Sequence, residues 1–254
     1  VLSLVFVGAR LYVRCCMLRN SGKDDLFCIL AAVFSIVEMA LMFVEIQYGS
    51  GKRASQLSPT TIDKQRWSVY ISIPPYYIGL MFIKLSIIYQ YLRFCRDTLG
   101  RVCYLTLALV VCTTITWLCL GIFQCHPVRG FWDSNLEGTK CLDLVKINYS
   151  YLAVNATTDI ILLVLPMPSF WRLKLGKAEK RALIGIFALG GFAVLTSVIR
   201  IPAIASMDRD GDHIYHGFGL VVWTRVEMSV SIICACLPCL RAPLAKYFPQ
   251  VWGS

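Results

Sequence analysis

Hydrophobic positions in this chain gather into seven runs, at residues 1–13, 26–47, 67–91, 102–123, 147–171, 182–205 and 217–240. Apart from the short first run, each is near the ~20 residues that a helix needs to cross a ~30 Å hydrocarbon layer at ~1.5 Å per residue. The stretches between them are only about 10 to 25 residues long, too short for a further soluble domain. Lone spanning strands would leave backbone groups unpaired in lipid. The pattern therefore predicts an all-α membrane protein, with residues 1–254 forming one bundle of seven transmembrane helices. Polar residues break the fifth run most sharply. Asn155 and Asp159 lie inside it, Pro166 and Pro168 close it, and Arg172, Lys174, Lys177, Lys180 and Arg181 follow. A carboxylate at such depth costs about 3 kcal/mol on insertion scales, so Asp159 is expected to face protein or water.

Composition agrees with this reading. The chain is 57% hydrophobic and 16% charged, whereas soluble domains average about 45–50% and 25%. Its net charge of +10 would suit nucleic acid, but the charges alternate with membrane-length runs and read as topology signals, so no nucleic-acid partner is expected. Assigning the connections alternately to two sides, one side carries Arg14, Arg19, Lys23, Arg93, Arg96, Arg101, Arg172, Lys174, Lys177, Lys180, Arg181, Arg241 and Lys246. The other carries fewer basic residues and more acids. Basic residues concentrate on the cytoplasmic face, so the N-terminus is expected outside and the C-terminus in the cytoplasm. The chain starts at Val1 and its first run meets Arg10 early, so a further N-terminal piece is expected.

Most of the twelve cysteines lie in or beside apolar runs, where Cys behaves as a small hydrophobe. Cys125 and Cys141 are the only loop cysteines on the outer face, and an oxidising compartment lets them join. Read as a disulfide in preference to two free thiols, they close a loop of about 17 residues, worth ~3 kcal/mol in the chain-entropy model. Cys15, Cys16, Cys95 and Cys239 sit at the opposite edge, where thiols stay reduced.

A set of short motifs now stands out along the whole chain: Arg10-Leu-Tyr-Val-Arg14, the pair Asp24-Asp25, Tyr48-Gly49-Ser50-Gly51, Lys84-Leu-Ser, Tyr91-Leu-Arg93-Phe, Cys125-His-Pro with Trp132, Asn155 with Thr158-Asp159, Leu165-Pro166, and Trp223 with Glu227 before Cys236-Leu-Pro238. In order and spacing they resemble the fungal rhodopsin-domain integral membrane proteins. The resemblance implies a seven-helix, receptor-like membrane protein of the kind implicated in surface sensing and pathogenicity. One departure is Lys52-Arg53, where the family usually carries a His after the Gly-x-Gly turn. Many members also extend into a long cytoplasmic tail. The seventh run has no lysine for a retinal Schiff base, so no retinal and no other cofactor is expected.

Eight ionisable groups fall within the runs, Arg10, Glu38, Glu45, Lys84, Asp159, Arg200, Arg225 and Glu227, and a ninth, Arg14, lies at the margin of the first. Arg14, Glu45 and Arg200 lie near predicted edges, where long side chains can snorkel to water. Counted from the outer edges, Asp159 lies ~18 Å deep and Glu227 ~15 Å, while Lys84, ~25 Å deep, points its stem back outward. These three, with Asn155 one turn from Asp159, are expected to form a buried polar cluster. It would serve a ligand or a switch, or simply hold helices together by mutual neutralisation.

Arg93 occupies a position like that of the arginine that meets the G protein in animal receptors. Arg93, Lys177, Lys180 and Arg181 are the candidates for coupling to a cytosolic G protein. For the outer stretch from Asp208 to His216, counting from Asp208 puts His213 at the sixth and Gly219 at the twelfth position, where a calcium loop wants Gly and Glu, so no metal site is expected there. The chain's histidines, His126, His213 and His216, all lie in outer loops, and no enzyme constellation is found. The expected function is a receptor-like sensor at the plasma membrane for an unidentified extracellular ligand. A transporter or channel built on the buried charges is the alternative.

Overall fold

The computed structural model describes residues 2–20, 22–93, 97–133, 136–167, 188–206 without 189, 193 and 203, and 213–247. Its helices are α1 (Leu2–Tyr12), α2 (Lys23–Gln47), α3 (Pro59–Leu92), α4 (Asp97–Ile122), α5 (Leu144–Val164), α6 (Gly190–Ser206) and α7 (His213–Tyr247). Five of them, α2, α3, α4, α5 and α7, are long and apolar enough to cross a membrane, whereas α1 and α6 are shorter. The basic stretch holding Lys177, Lys180 and Arg181 lies outside the described residues, as does Asp208.

Local signals set the ends. Ser58 caps α3, its Oγ accepting the Thr61 N–H at 3.4 Å, and Pro59 follows at the first helical position, where a missing N–H is harmless. This start lies two turns before the predicted residue 67, because the polar first turns of α3 stand clear of the apolar layer. Asp143 caps α5 and accepts the N–H of Val145 and Lys146. Its carboxyl is held below the usual range, first by a side-chain hydrogen bond from Lys146. Between α4 and α5, β1 (Cys125–His126) pairs antiparallel with β2 (Lys140–Cys141) in the register Cys125 with Cys141. Cys125 and Cys141 form the expected disulfide.

The bundle is organised around α3, which packs against α2, α4, α5 and α7, while α1 lies on α7 and α2. One apolar core joins Val7, Ala31, Leu80, Ile83, Met228 and Ile232 across α1, α2, α3 and α7, and a second joins Ile88 to Cys103, Val110 and Leu162 across α3, α4 and α5. Large apolar side chains such as Val5, Phe43 and Leu105 are exposed, while Arg10, Glu38, Ser86 and Glu227 are buried. Polar groups inside and apolar groups outside is the distribution that lipid imposes. Lipid is as apolar as leucine, so close approach and interhelical polar bonds hold such helices together. A Cβ on Gly79 would sit 2.1 Å from Met228 Cε and 3.1 Å from Phe34 Cβ, which measures how tightly α3 meets α7 and α2. Gly190 likewise faces Leu163 of α5. A Cβ on Gly191, by contrast, would meet nothing within 4 Å among the described residues.

Candidate functional site

Polar side chains form three groups stacked along α3 and α7. The central one begins at Lys84, whose long chain turns back to reach α5. Its Nζ lies 2.9 Å from Asp159 Oδ1 and donates to Asn155 Oδ1 at 2.9 Å and Thr158 Oγ1 at 2.6 Å. The spacing of Asn155 and Asp159 sets both on one face of α5. Asn155 Nδ2 then donates to Glu227 Oε1 of α7 at 2.6 Å. Glu227 Oε2 lies 3.0 Å from Arg200 Nη2 of α6. From there Arg200 Nη1 donates to Tyr76 OH at 3.0 Å, Tyr76 donates to Glu227 at 3.2 Å, and Tyr151 OH donates to Tyr76 at 3.1 Å. Lys84, Asn155, Asp159 and Glu227 are thus brought into one connected chain of contacts across four helices.

Arg200 corrects a sequence expectation. It does not snorkel, but is 2% exposed and is the cation that answers Glu227. The depth count placed it close to an edge; the balance of buried charges is the better signal, because Lys84 alone could not neutralise both Asp159 and Glu227. Tyr76 and Tyr151 carried no sequence signal beyond being aromatic.

Toward the disulfide, Glu45 also departs from snorkelling. It is buried, accepts the Ser72 hydroxyl at 2.5 Å and lies 3.8 Å from Arg225 Nη2. Arg225 is ion-paired with Glu38. Beside these groups opens a cavity of about 410 Å³, bounded by residues of α2 through α7 and by the disulfide-linked segment through Cys125, Gly130, Phe131 and Cys141. Tyr76, Tyr151 and Arg200 belong to its lining, so the central chain of contacts forms part of the cavity wall.

At the opposite end lies the third group. Arg10, fully buried, bonds Asp24 at 2.8 Å, Asp25 at 2.9 Å and the Ala235 carbonyl of α7 at 2.6 Å. Arg14 lies 3.0 Å from Asp24 and donates to Cys239 Sγ at 3.1 Å, so it too is paired inside the protein. Gln90 Nε2 donates to the same sulfur at 2.8 Å. Arg93 Nη2 lies 2.5 Å from Asp24 Oδ1, which ties the end of α3 to the start of α2. The Asp24-Asp25 motif therefore finds its partners in the two arginines of the Arg10 motif and in Arg93. Sequence had treated these as separate features.

The model of the fungal rhodopsin domain family matches residues 9–246. Among curated relatives, "Fugralins biosynthesis cluster protein 2" of Gibberella zeae is 23% identical over 94% of this chain and 62% of its own length. "Receptor GIN3" of Arthrobotrys oligospora is 29% identical over 75% of this chain and 47% of its own. "SAT4 family membrane protein" of Emericella nidulans is 27% identical over 80% and 52%. The chain spans about half to three-fifths of the length of these relatives. No solved structure matches it.

Proposed function

We propose a receptor-like sensing role, and its premise is that this chain belongs to the fungal rhodopsin domain family. In this reading the protein is a seven-span, G-protein-coupled-receptor-like sensor of the plasma membrane, with the disulfide end outside and the Arg10–Asp24 end in the cytoplasm. It works without retinal and without enzymatic chemistry. An extracellular ligand enters among the helices, and a cytosolic G protein reads the opposite end at Arg93 and the basic stretch of Lys177, Lys180 and Arg181.

The observation that carries this reading is continuity. The cavity lining includes Tyr76 of α3 and Arg200 of α6; Arg200 and Tyr76 hold Glu227 of α7; and α3 and α7 both reach the cluster of Arg93, Gln90 and Cys239. A ligand that draws Arg200 or Tyr76 toward itself changes the contacts of Glu227, and so biases how α3 sits against α7. Small shifts of packed helices are a known repertoire of switching, and only differential contact with two states can drive them. The name of the receptor relative supports the same reading.

The test uses the full-length protein in lipid nanodiscs with a purified heterotrimeric G protein and organic extracts of fungal cultures. Extract-dependent nucleotide exchange, lost in Arg200→Gln, is the expected result. Absence of exchange, together with an Asp159-dependent ion flux in reconstituted vesicles, would favour the transporter instead.

A further inference from the structure

The cavity at the disulfide end carries more hydrogen-bonding capacity than its own walls use. Its volume of about 410 Å³ falls in the ~300–1,000 Å³ range of small-molecule sites. Most of the lining is apolar or aromatic, with Val69, Ile73, Tyr77, Phe131 and Leu220 prominent. Five of the lining residues each carry a buried polar atom that has no hydrogen-bond partner among the described residues. These atoms are Arg200 Nε, Arg225 Nε and Gln124 Nε2 as donors, Glu45 Oε2 as an acceptor, and the hydroxyl of Ser50. Buried polar groups are nearly always bonded, so a concentration of orphans around one cavity points to an occupant.

The charges decide what kind of occupant. Arg200 is answered by Glu227 and Arg225 by Glu38, while Glu45 stands at the wall with its nearest cation nitrogen 3.8 Å away. A carboxylate head would meet Glu45, with Glu38 and Glu227 behind it. An ammonium head would meet Arg200 and Arg225, with Arg66 also in the lining. Either like-charge encounter is unfavourable. A neutral molecule meets neither repulsion.

We propose that this cavity binds a neutral, largely apolar organic molecule bearing carbonyl and hydroxyl oxygens. The carbonyl accepts N–H groups of Arg200, Arg225 or Gln124, and the hydroxyl donates to Glu45. The aromatic walls of Tyr77 and Phe131 take a flat or unsaturated body, since aromatic faces pack well against such groups. The proposal names the ligand class of the sensing site above, and rests on that reading only for the ligand's arrival from outside.

The experiment is equilibrium dialysis of the full-length protein in nanodiscs, with empty nanodiscs as the blank and three probes that share one apolar body. These are 2-acetylnaphthalene, 2-naphthoate and 2-naphthylmethylammonium. The ketone is expected to bind at least about 10-fold more tightly than either ion. In Gln124→Leu its affinity falls about 3- to 10-fold, the worth of one hydrogen bond, and in Val221→Trp, which fills the cavity, saturable binding disappears. Tighter binding of the carboxylate or the amine overturns the assignment, and so does ketone binding that survives Val221→Trp unchanged. If that variant does not fold, the order of the three probes on the unaltered protein decides by itself. The sensing reading fails separately: a ketone that binds as described while the heterotrimer never responds leaves the site standing and removes the receptor.

Discussion

Lys84 lies within an apolar helix about two turns from its C-terminal end, and a single ammonium there faces Asp159, Asn155 and Thr158 together. Taking one partner from a buried ion pair leaves the other charge without compensation, at a cost of about 3–5 kcal/mol, whereas replacing both by well-packed apolar residues is often neutral. Lys84→Ala should therefore destabilise the protein by that amount in denaturant unfolding in micelles, and Lys84→Met combined with Asp159→Leu should recover most of it. Equal losses for the single and double variants would show that the pair does not act as a unit. This cluster was legible from depth and helical spacing alone: Asn155 and Asp159 share a face, and the Lys84 stem points back along its helix. Arg200 was not legible in that way. Depth counted from predicted edges says nothing about which direction a side chain faces, and Arg200 turns inward between Tyr76 and Glu227.

Between elements, contact depends on places where side chains are small. A Cβ on Gly22 would lie 1.9 Å from Arg93 Nη2, and that nitrogen is the one that holds Asp24. The guanidinium is the far end of a flexible chain, so Gly22→Ala should leave the fold intact but push Arg93 off Asp24. Hydrogen exchange of residues 22–28 should then speed up, and unchanged exchange would mean that this ion pair does not hold α2 to α3. At the other end, Cys125→Ser with Cys141→Ser opens a loop of about 17 residues. The expected loss is ~3 kcal/mol in a denaturation series, together with weaker binding in the cavity that this loop walls. The pairing of these cysteines was readable from their shared face and loop position. The association of Arg10 and Arg14 with Asp24 and Asp25 was not, because it joins the end of α1 to the start of α2 through packing against Ala235 and Cys239 of α7, and no local pattern encodes which helices are neighbours.

Across the whole molecule, hydrophobic patterning announced a helical membrane protein, and the order of short motifs announced its family. It did not show that α3 would be the hub, since every long run is similarly apolar and only packing distinguishes the centre from the rim. The orientation proposed here predicts that a membrane-impermeant amine reagent applied to intact cells labels Lys52 and spares Lys177; the reverse pattern would invert the molecule and move the cavity to the cytoplasmic side. Communication between the ends is the claim on which the sensing account stands, because a cavity that does not influence the Arg93–Asp24 cluster cannot inform anything in the cytosol. Its most direct test is hydrogen exchange of the nanodisc-embedded protein with the cavity empty and with it saturated by 2-acetylnaphthalene, occupancy being fixed independently by dialysis. The account predicts altered exchange at residues 22–28 and 86–93, far from the bound molecule, and its loss in Arg200→Gln; exchange changes confined to the cavity walls at full occupancy would contradict it.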